Sequence, residues 1–343
     1  MKPLVPTLIL VTVLLSAYRA QAKESPANSD EPQHAETESI GRVNELLLPP
    51  FQLSSLTKDL PANDLLFPDE QSLMILGSTA LWQWRIGTNS LQRLVLWQDT
   101  DAQTKAPLRY LGGDGINLFV AADNTLFQIH WQENEIFRYP LPPGLKVRGF
   151  SGQADDYWLL HSGGIMQFDR YGKTLIPRSK VTNFATAEAM AYEPHSHILW
   201  AVRGNDLWRT DLKLKAPRGR VVFSAQHPLH SLTLPDGAHG DVMTHTDHAV
   251  LRFGESGIMR PSIPVEGSRR LIAMAISATN HAYLFSDQLL EVYEIQKKQT
   301  TRYLLPIDNV EQVSALRLSG QQVAVLVSGR PRLFRLDTGR RKR

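Results

Sequence analysis

Hydrophobic and polar residues alternate in short runs along the chain from about residue 43 onward. A period of two residues is typical of β-strands that bury one face. Gly, Asn, Asp and Ser separate the runs, and these residues suit the positive φ angles of tight hairpin turns. No helical period competes with the alternation, so the pattern predicts an all-β protein.

A four-residue core recurs along the chain: an aliphatic residue, a large apolar residue, usually Gln or Arg, and then a bulky residue. Successive copies are 39 to 45 residues apart and begin at Leu81, Leu126, Ile165, Leu207, Val250, Leu289 and Leu333. This spacing lies in the range of four-stranded propeller blades. Strands and polar turns flank each core in the same order, which is the meander of one blade. The repeat therefore predicts a seven-bladed β-propeller over residues 43–337.

The seventh repeat has no fourth strand after its core, because only a turn and basic residues follow Leu336. The fourth strands of other repeats often contain or end in proline, which suits an outermost strand with one unpaired edge. The stretch VNELLLPPF, residues 43–51, has this character. We expect it to complete the last blade and close the ring. Its large apolar residues are then predicted to make apolar contacts: Leu46, Leu47, Leu48 and Phe51.

The repeats resemble a group of seven-bladed propellers, the WD-repeat and YncE-like proteins, the latter exported from bacteria. The resemblance lies in architecture, since the Gly-His and Trp-Asp pairs of strict WD repeats are absent. It covers nearly all of the chain beyond residue 42 and implies an exported propeller. The residues at the second position of the four-residue core form a column when the repeats are aligned, and this column is predicted to pack between blades. It contains Trp82, Phe127, Met166, Trp208, Leu251 and Phe334.

Both ends of the chain differ from the repeats. Residues 1–22 contain the apolar run Leu8–Leu15 and the A-x-A site Ala20–Ala22, which predict a cleaved secretory signal peptide. The run is too short to span a bilayer, so no transmembrane span is expected in the mature chain. Residues 23–42 are polar and acidic, which is typical of a disordered linker. We therefore expect a periplasmic or secreted protein.

The basic tail at residues 338–343 has two interpretations. It is either a solvated chain end or a weak contact with an anionic surface, whose strength would fall as salt rises.

Composition narrows the classes of function. The chain has no cysteine, which excludes disulfides and thiolate metal sites. It carries 37 basic and 34 acidic residues, and part of the excess lies in the leader and tail, which argues against a nucleic-acid partner. There is no G-x-S-x-G elbow to supply a nucleophile. We expect no cofactor.

The residues predicted at the mouth of the central channel do not favour hydrolase chemistry. The first strands of the blades line this channel, and they lack a clear ring of carboxylates of the kind found in calcium-dependent propeller hydrolases. Their charged residues are few: Asp64, Arg109, Arg148, Glu188 and Arg317.

The repeat register places the turns between second and third strands on one side of the disc, together with the connectors between blades. This side is the predicted partner-binding face. Its polar residues are Asp123, Asn124, His161, Arg203, Asn205, Asp206, His245, Asp247, Asp287 and Arg330.

Four histidines on the same side of the disc are candidate metal ligands, because imidazole binds zinc and other divalent ions. These are His227, His230, His245 and His248. The alternative interpretation is that they are solvated turn residues.

The sequence therefore favours an exported, non-catalytic propeller that acts as a binding or scaffold module for a protein or polymer partner in the cell envelope. The step from fold to binding is an analogy, because propellers host both scaffolds and enzymes. The alternative is an enzyme or ligand sensor, lactonase-like or metal-dependent, that uses the channel mouth.

Overall fold

A computed structural model of the chain describes residues 40–96, 111–113, 116–122, 125–133, 135–153, 156–169, 174–177, 184, 186–214, 217–234, 241–265, 269–277 and 279–337. Within these residues, 28 strands form seven four-stranded antiparallel sheets. The innermost strand of each sheet contacts the innermost strand of the next, and the last contacts the first. The sheets therefore form a ring, which confirms the predicted seven-bladed β-propeller.

The strands of each blade follow one another outward from the central channel. Blade 1 contains β2 (Asp64–Asp69), β3 (Ser72–Leu76), β4 (Ala80–Arg85) and β5 (Ser90–Leu96). Blade 2 contains β6 (Leu111–Gly113), β7 (Asn117–Ala122), β8 (Thr125–His130) and β9 (Glu135–Pro140). Blade 3 contains β10 (Val147–Gln153), β11 (Asp156–His161), β12 (Gly164–Asp169) and β13 (Thr174–Pro177). Blade 4 contains β14 (Ala189–Glu193), β15 (Ile198–Arg203), β16 (Asp206–Asp211) and β17 (Arg220–Ser224).

The remaining three blades follow the same order. Blade 5 contains β18 (His230–Thr233), β19 (Val242–His245), β20 (Ala249–Phe253) and β21 (Ile263–Pro264). Blade 6 contains β22 (Leu271–Ile276), β23 (Asn280–Phe285), β24 (Leu289–Glu294) and β25 (Gln299–Leu304). Blade 7 contains β26 (Val313–Ser319), β27 (Gln322–Val327), β28 (Arg330–Asp337) and β1 (Arg42–Leu46), and a 3-10 helix at Val310–Gln312 precedes it.

The ring closes as the sequence predicts, with the most N-terminal strand as the outermost strand of blade 7. β1 runs antiparallel to β28, and Val43 pairs with Leu336 while Leu46 pairs with Leu333. One strand from each end of the described chain therefore shares a sheet, so that no apolar blade face is left without a neighbour.

The closing strand is shorter than predicted, since β1 ends at Leu46 and a helix, α1 (Pro50–Thr57), follows it. The prediction that Leu47 and Phe51 make apolar contacts is wrong, because they are 71% and 82% exposed. Proline cannot donate to a β-ladder, and its fixed φ angle suits the first turn of a helix. Pro49 and Pro50 therefore stand at the start of the helix, and the strand ends before them at Leu46.

The helix α1 was not predicted, because eight residues are too few for a clear helical period. It connects blade 7 to blade 1 and places Leu56 among buried residues of both blades. Leu48, which precedes the helix, belongs to the same cluster.

The predicted core column lies between the blades. Trp82, Phe127, Met166, Leu251 and Phe334 are each no more than 8% exposed. Trp208 is partly buried and packs on the cluster between blades 3 and 4. The interpretation of this column as blade-to-blade core is confirmed.

The recurring Gln or Arg at the third core position also has a structural reason. In four blades its side chain donates a hydrogen bond to a polar side chain at the start of the preceding strand or just before it. The pairs are Gln83 with Ser72 (3.1 Å), Gln128 with Asn117 (2.7 Å), Gln167 with Asp156 (2.9 Å) and Arg252 with Asp241 (2.8 Å). Buried polar groups need such partners, so the polar position repeats with the blade.

Candidate partner-binding face

The turns between second and third strands lie on the same side of the disc as the connectors between blades; we call this side the connector face. Backbone hydrogen bonds join turns to connectors: Leu229 N to Gly204 O (2.9 Å), Leu271 N to Asp247 O (2.9 Å), Ser328 N to Gln312 O (3.0 Å) and Ala62 N to Gly329 O (2.7 Å). Groups bonded in this way cannot move independently, so the connector face is a fixed platform.

The structure places the predicted site residues in three environments. Arg203, Asn205, Asp287 and Arg330 are exposed, and Asp206 and Asp247 are partly buried. His161 and His245 are buried. Asp123 and Asn124 lie outside the described residues.

The turn of blade 4 shows how the polar side chains are held. Gly204 adopts a φ of 56°, which favours glycine in this turn. Asn205 Nδ2 donates to the carbonyl of Ala225 (3.3 Å), and Asp206 Oδ1 accepts the Ser224 hydroxyl (2.6 Å). Arg203 is exposed beside these bonded residues.

A hollow of about 470 Å³ lies at the turn of blade 7. Arg330 lines it together with Ser328, Asp308, Asn309 and Arg332. Its lining offers cationic, anionic and amide groups at one place. Such a mixture suits polar side chains of a partner better than a purely apolar ligand.

Asp287 contributes less negative charge to the connector face than the sequence suggests. Its Oδ2 lies 3.0 Å from Arg269 Nε, and its Oδ1 accepts the N–H of Leu289 (3.3 Å). The pair is exposed to solvent and therefore weak, but it fixes where both charges lie.

The four candidate metal ligands form two pairs. The ring centroids of His230 and His245 are 5.4 Å apart, and those of His227 and His248 are 5.1 Å apart. His230 Nε2 lies 3.1 Å from Asp247 Oδ1, so this histidine already has an acidic partner. The metal site stays a prediction.

Within the described residues, a different trio brings its ligand atoms within 4.8 Å of one another: His130, Glu133 and Glu135 in blade 2. Sequence reasoning did not single it out. The two glutamates have 70% and 59% exposed side chains, which makes the group an ordinary surface cluster.

The two buried histidines of the connector face stabilise turns. His245 is 2% exposed, and burial lowers its pKa to about 4, so the ring is neutral at neutral pH. Burial also lowers the pKa of His161, whose Nδ1 accepts the N–H of Gly163 (3.0 Å). Neither histidine adds charge to the face.

The charged residues on the first strands tie blades together around the channel. Arg317 Nη2 lies 2.7 Å from Asp64 Oδ1, which links blade 7 to blade 1. Arg148 Nη1 donates to the carbonyl of Ala187 (3.2 Å), next to blade 4. Glu188 is exposed, and Arg109 lies outside the described residues.

A polar group on the opposite side of the disc was missed by sequence reasoning. The hydroxyl of Tyr192 hydrogen-bonds to Asp156 Oδ2 and lies 2.9 Å from Nδ1 of His197. Burial and the neighbouring carboxylate raise the pKa of this hydroxyl. The group joins blades 3 and 4, and only the packing of those blades brings its members together.

None of the helices in the described part of the chain combines the length and apolar character that crossing a membrane requires.

Comparison with known proteins shows the class of this chain but no family. No family model and no curated protein match the sequence. A chain of a mitotic checkpoint complex matches with a TM-score of 0.62 and 14% identity, covering 91% of this chain and 98% of that chain. YCF48 bound to a D1 peptide matches with a TM-score of 0.61 and 12% identity, covering 90% and 98%. Virginiamycin B lyase from Staphylococcus aureus matches with a TM-score of 0.62 and 12% identity, covering 87% and 99%.

Identities this low show the fold alone. Together with the ring of seven sheets they define the chain as a seven-bladed β-propeller.

Proposed function

We propose that this chain is an exported, non-catalytic scaffold that binds a protein or polymer partner of the cell envelope through its connector face. The observation that carries the proposal is the hydrogen-bonded framework of turns and connectors, on which polar side chains stand exposed. A partner that meets a rigid, polar platform loses little affinity to ordering the surface.

Two of the similar structures support a binding role by analogy of fold. One is part of a checkpoint complex and another is bound to a peptide. The third is a lyase, and it supports the alternative of an enzyme or ligand sensor at the channel mouth.

Export rests on the sequence. The leader at residues 1–22 and the acidic stretch at residues 23–42 lie wholly or mostly outside the described residues, as does the basic tail at residues 338–343. We propose cleavage after Ala22, followed by a linker and the propeller. The tail then adds at most a weak contact with an anionic surface. Sequencing the N-terminus of the expressed protein tests this, because a chain that keeps Met1 would contradict export.

The binding proposal is tested with a pair of charge reversals on the connector face, Arg203→Glu with Arg330→Glu. The matched control reverses two exposed cations on the opposite side of the disc, Arg85→Glu with Lys213→Glu. Envelope partners crosslinked to the wild type should also crosslink to the control and be lost from the connector-face variant. Equal capture by all three proteins would place binding elsewhere.

The alternative is tested by zinc titration. A metal that binds only the folded protein raises its melting temperature by mass action. We expect no such rise; a rise that disappears in His230→Ala would favour the metal-dependent alternative over the scaffold.

A further inference from the structure

A cleft of about 480 Å³ lies between blades 5 and 6. The buried apolar cluster at this boundary has six members, whereas the one between blades 6 and 7 has fifteen. The outermost strand of blade 5, β21, is only two residues long and follows Pro261, which cannot donate to a β-ladder. Among the described residues, this boundary therefore has the smallest buried cluster, and the outer strand beside it is the shortest.

The cleft has an apolar floor and a cationic wall. Val250, Tyr283 and Phe285 line it and are at most 7% exposed, so they form its deepest part. Arg252 and Arg269 line it as well, and the guanidinium carbon of Arg269 lies 5.9 Å from the ring centroid of Phe285. Apolar and cationic groups thus face the same space.

The arginines are held in place by carboxylates. Arg252 Nη2 lies 2.8 Å from Asp241 Oδ2, and Arg269 Nε lies 3.0 Å from Asp287 Oδ2. Arg252 Nε is buried and has no hydrogen-bond partner among the described residues. A guanidinium group carries five N–H donors, so each arginine keeps donors beyond those in its carboxylate pair for an anionic ligand.

Among the described residues around the cleft, guanidinium groups outnumber the carboxylates that pair with them by one. The guanidinium groups are those of Arg252, Arg260, Arg269 and Arg302, and the carboxylates that pair with them are those of Asp241, Asp287 and Glu291. His281, which also lines the cleft, has its pKa lowered by burial and by Arg252, so it adds no charge at neutral pH. The cleft therefore complements an anionic ligand.

Exposed apolar side chains extend along both lips of the cleft. Ile263 on blade 5 is 41% exposed and Ile295 on blade 6 is 36% exposed, and both line the cleft. A small organic anion would fill the floor but leave these lips in water. A polypeptide would cover both, and contiguous exposed apolar surface is typical of protein contacts.

We propose that this cleft binds an extended acidic polypeptide segment of a partner protein. A large apolar side chain of the segment lies over Tyr283 and Phe285, and its neighbouring carboxylates pair with Arg252 and Arg269. The cleft adjoins the connector face where Arg269 pairs with Asp287, but its apolar floor lies outside the residues proposed for that face, so the inference does not rest on the proposed function.

The test uses a fluorescein-labelled hexapeptide, Glu-Glu-Leu-Phe-Glu-Glu, whose binding to the full chain is followed by fluorescence anisotropy. Two matched peptides replace either the four glutamates with lysines or the central pair with two glycines. We expect the acidic apolar peptide to bind most tightly and its affinity to fall as salt rises. Failure of this peptide to bind, or equal binding of the lysine peptide, would overturn the proposal.

Variants locate the binding. Arg269→Glu and Ile263→Asp change exposed positions on the cleft and should each weaken binding about tenfold or more. Arg203→Glu on the connector face is the control and should leave binding unchanged. Loss in Arg203→Glu alone would assign the peptide to the connector face and refute the cleft. If either cleft variant unfolds, the test is made on the wild type by NMR. Binding of the peptide in the cleft should shift the methyl resonances of Ile263 and Ile295, and unchanged resonances would refute the site.

Discussion

The guanidinium group of Arg332 in β28 donates two hydrogen bonds of 2.7 Å to the carboxylate of Glu45 in β1. The two residues are 287 positions apart in the sequence and lie on the strands that close the ring. Arg332 Nη1 also donates to the carbonyl of Pro306 (2.6 Å), in the connector from blade 6. One side chain therefore joins the closing strand, its sheet and the preceding connector.

Removing the closing strand should destabilise the whole propeller. Deletion of residues 42–48 removes Leu48, which is 8% exposed, and the partly buried Val43 and Leu46. Because a fully buried large apolar side chain contributes about 1.5–3 kcal/mol, we expect a loss of about 3–6 kcal/mol. Such a loss is comparable to the whole stability of many domains. Urea denaturation measures the change.

The control for that deletion removes residues 24–38, a polar and acidic stretch, and should change the midpoint very little. Similar midpoints for both deletions would contradict the role of β1 as the closing strand.

The pair Glu45 and Arg332 should show measurable coupling. Their side chains are each 26% exposed, and the contact is bidentate, which strengthens it relative to a single bond. A double-mutant cycle with Glu45→Ala and Arg332→Ala is expected to give a coupling energy of about 1 kcal/mol. The more exposed pair Arg270 and Glu311 is the reference and should couple much less. A larger coupling for the reference pair would refute the importance of this contact.

Asp59, between α1 and blade 1, should be a sensitive position. It is 3% exposed and accepts hydrogen bonds from the Ser78 hydroxyl, the Thr79 N–H and hydroxyl, and Trp82 Nε1. Asp59→Ala leaves several of these donors unsatisfied, and we expect a loss of about 2–4 kcal/mol in the free energy of unfolding.

The matched control is Asp69→Ala, whose carboxylate accepts the N–H of Gln71 at a more exposed turn. Thermal melts should give a clearly lower melting temperature for Asp59→Ala than for Asp69→Ala. A melting temperature for Asp59→Ala as high as that of the control would show that the Asp59 carboxylate contributes little to stability.

Stability should depend on pH through His245. Burial lowers its pKa to about 4 in the folded state, below the value of about 6.5 expected in the unfolded chain. Between these values the unfolded chain binds the proton more readily, so stability falls as pH drops from about 6.5 to about 4. The shift corresponds to a loss of about 3 kcal/mol from this residue. Above about pH 6.5 the imidazole is neutral in both the folded and the unfolded state, so His245 causes no change of stability with pH there.

The comparison is between His245→Gln and His227→Gln, a buried and an exposed histidine of blade 5 and its connector. Stability curves from pH 7 to pH 4 should flatten in the first variant and keep the wild-type slope in the second. His161 and His281, whose pKa values burial also lowers, leave a residual slope in both. An unchanged slope in His245→Gln would show that another group controls the acid limb.

The blade count and the closure of the ring could be predicted from residue patterns alone. Strand alternation, turn residues and the recurring core are local features that repeat in every blade, so each copy supports the others. The pairing of β1 with β28 followed from counting, because one repeat lacked a strand and residues 43–51 had the character of one. The helix α1 escaped prediction because its local signal was short and its position depends on Leu56 packing between two blades.

The candidate site was predictable only in part. Its side of the disc followed from the strand register, which is periodic. The burial of His245, the pairing of Arg269 with Asp287 and the open boundary between blades 5 and 6 did not follow. These features depend on how closely neighbouring blades pack and on which side chains meet across them. Such contacts join residues from different repeats, and their geometry exists only once the ring is closed.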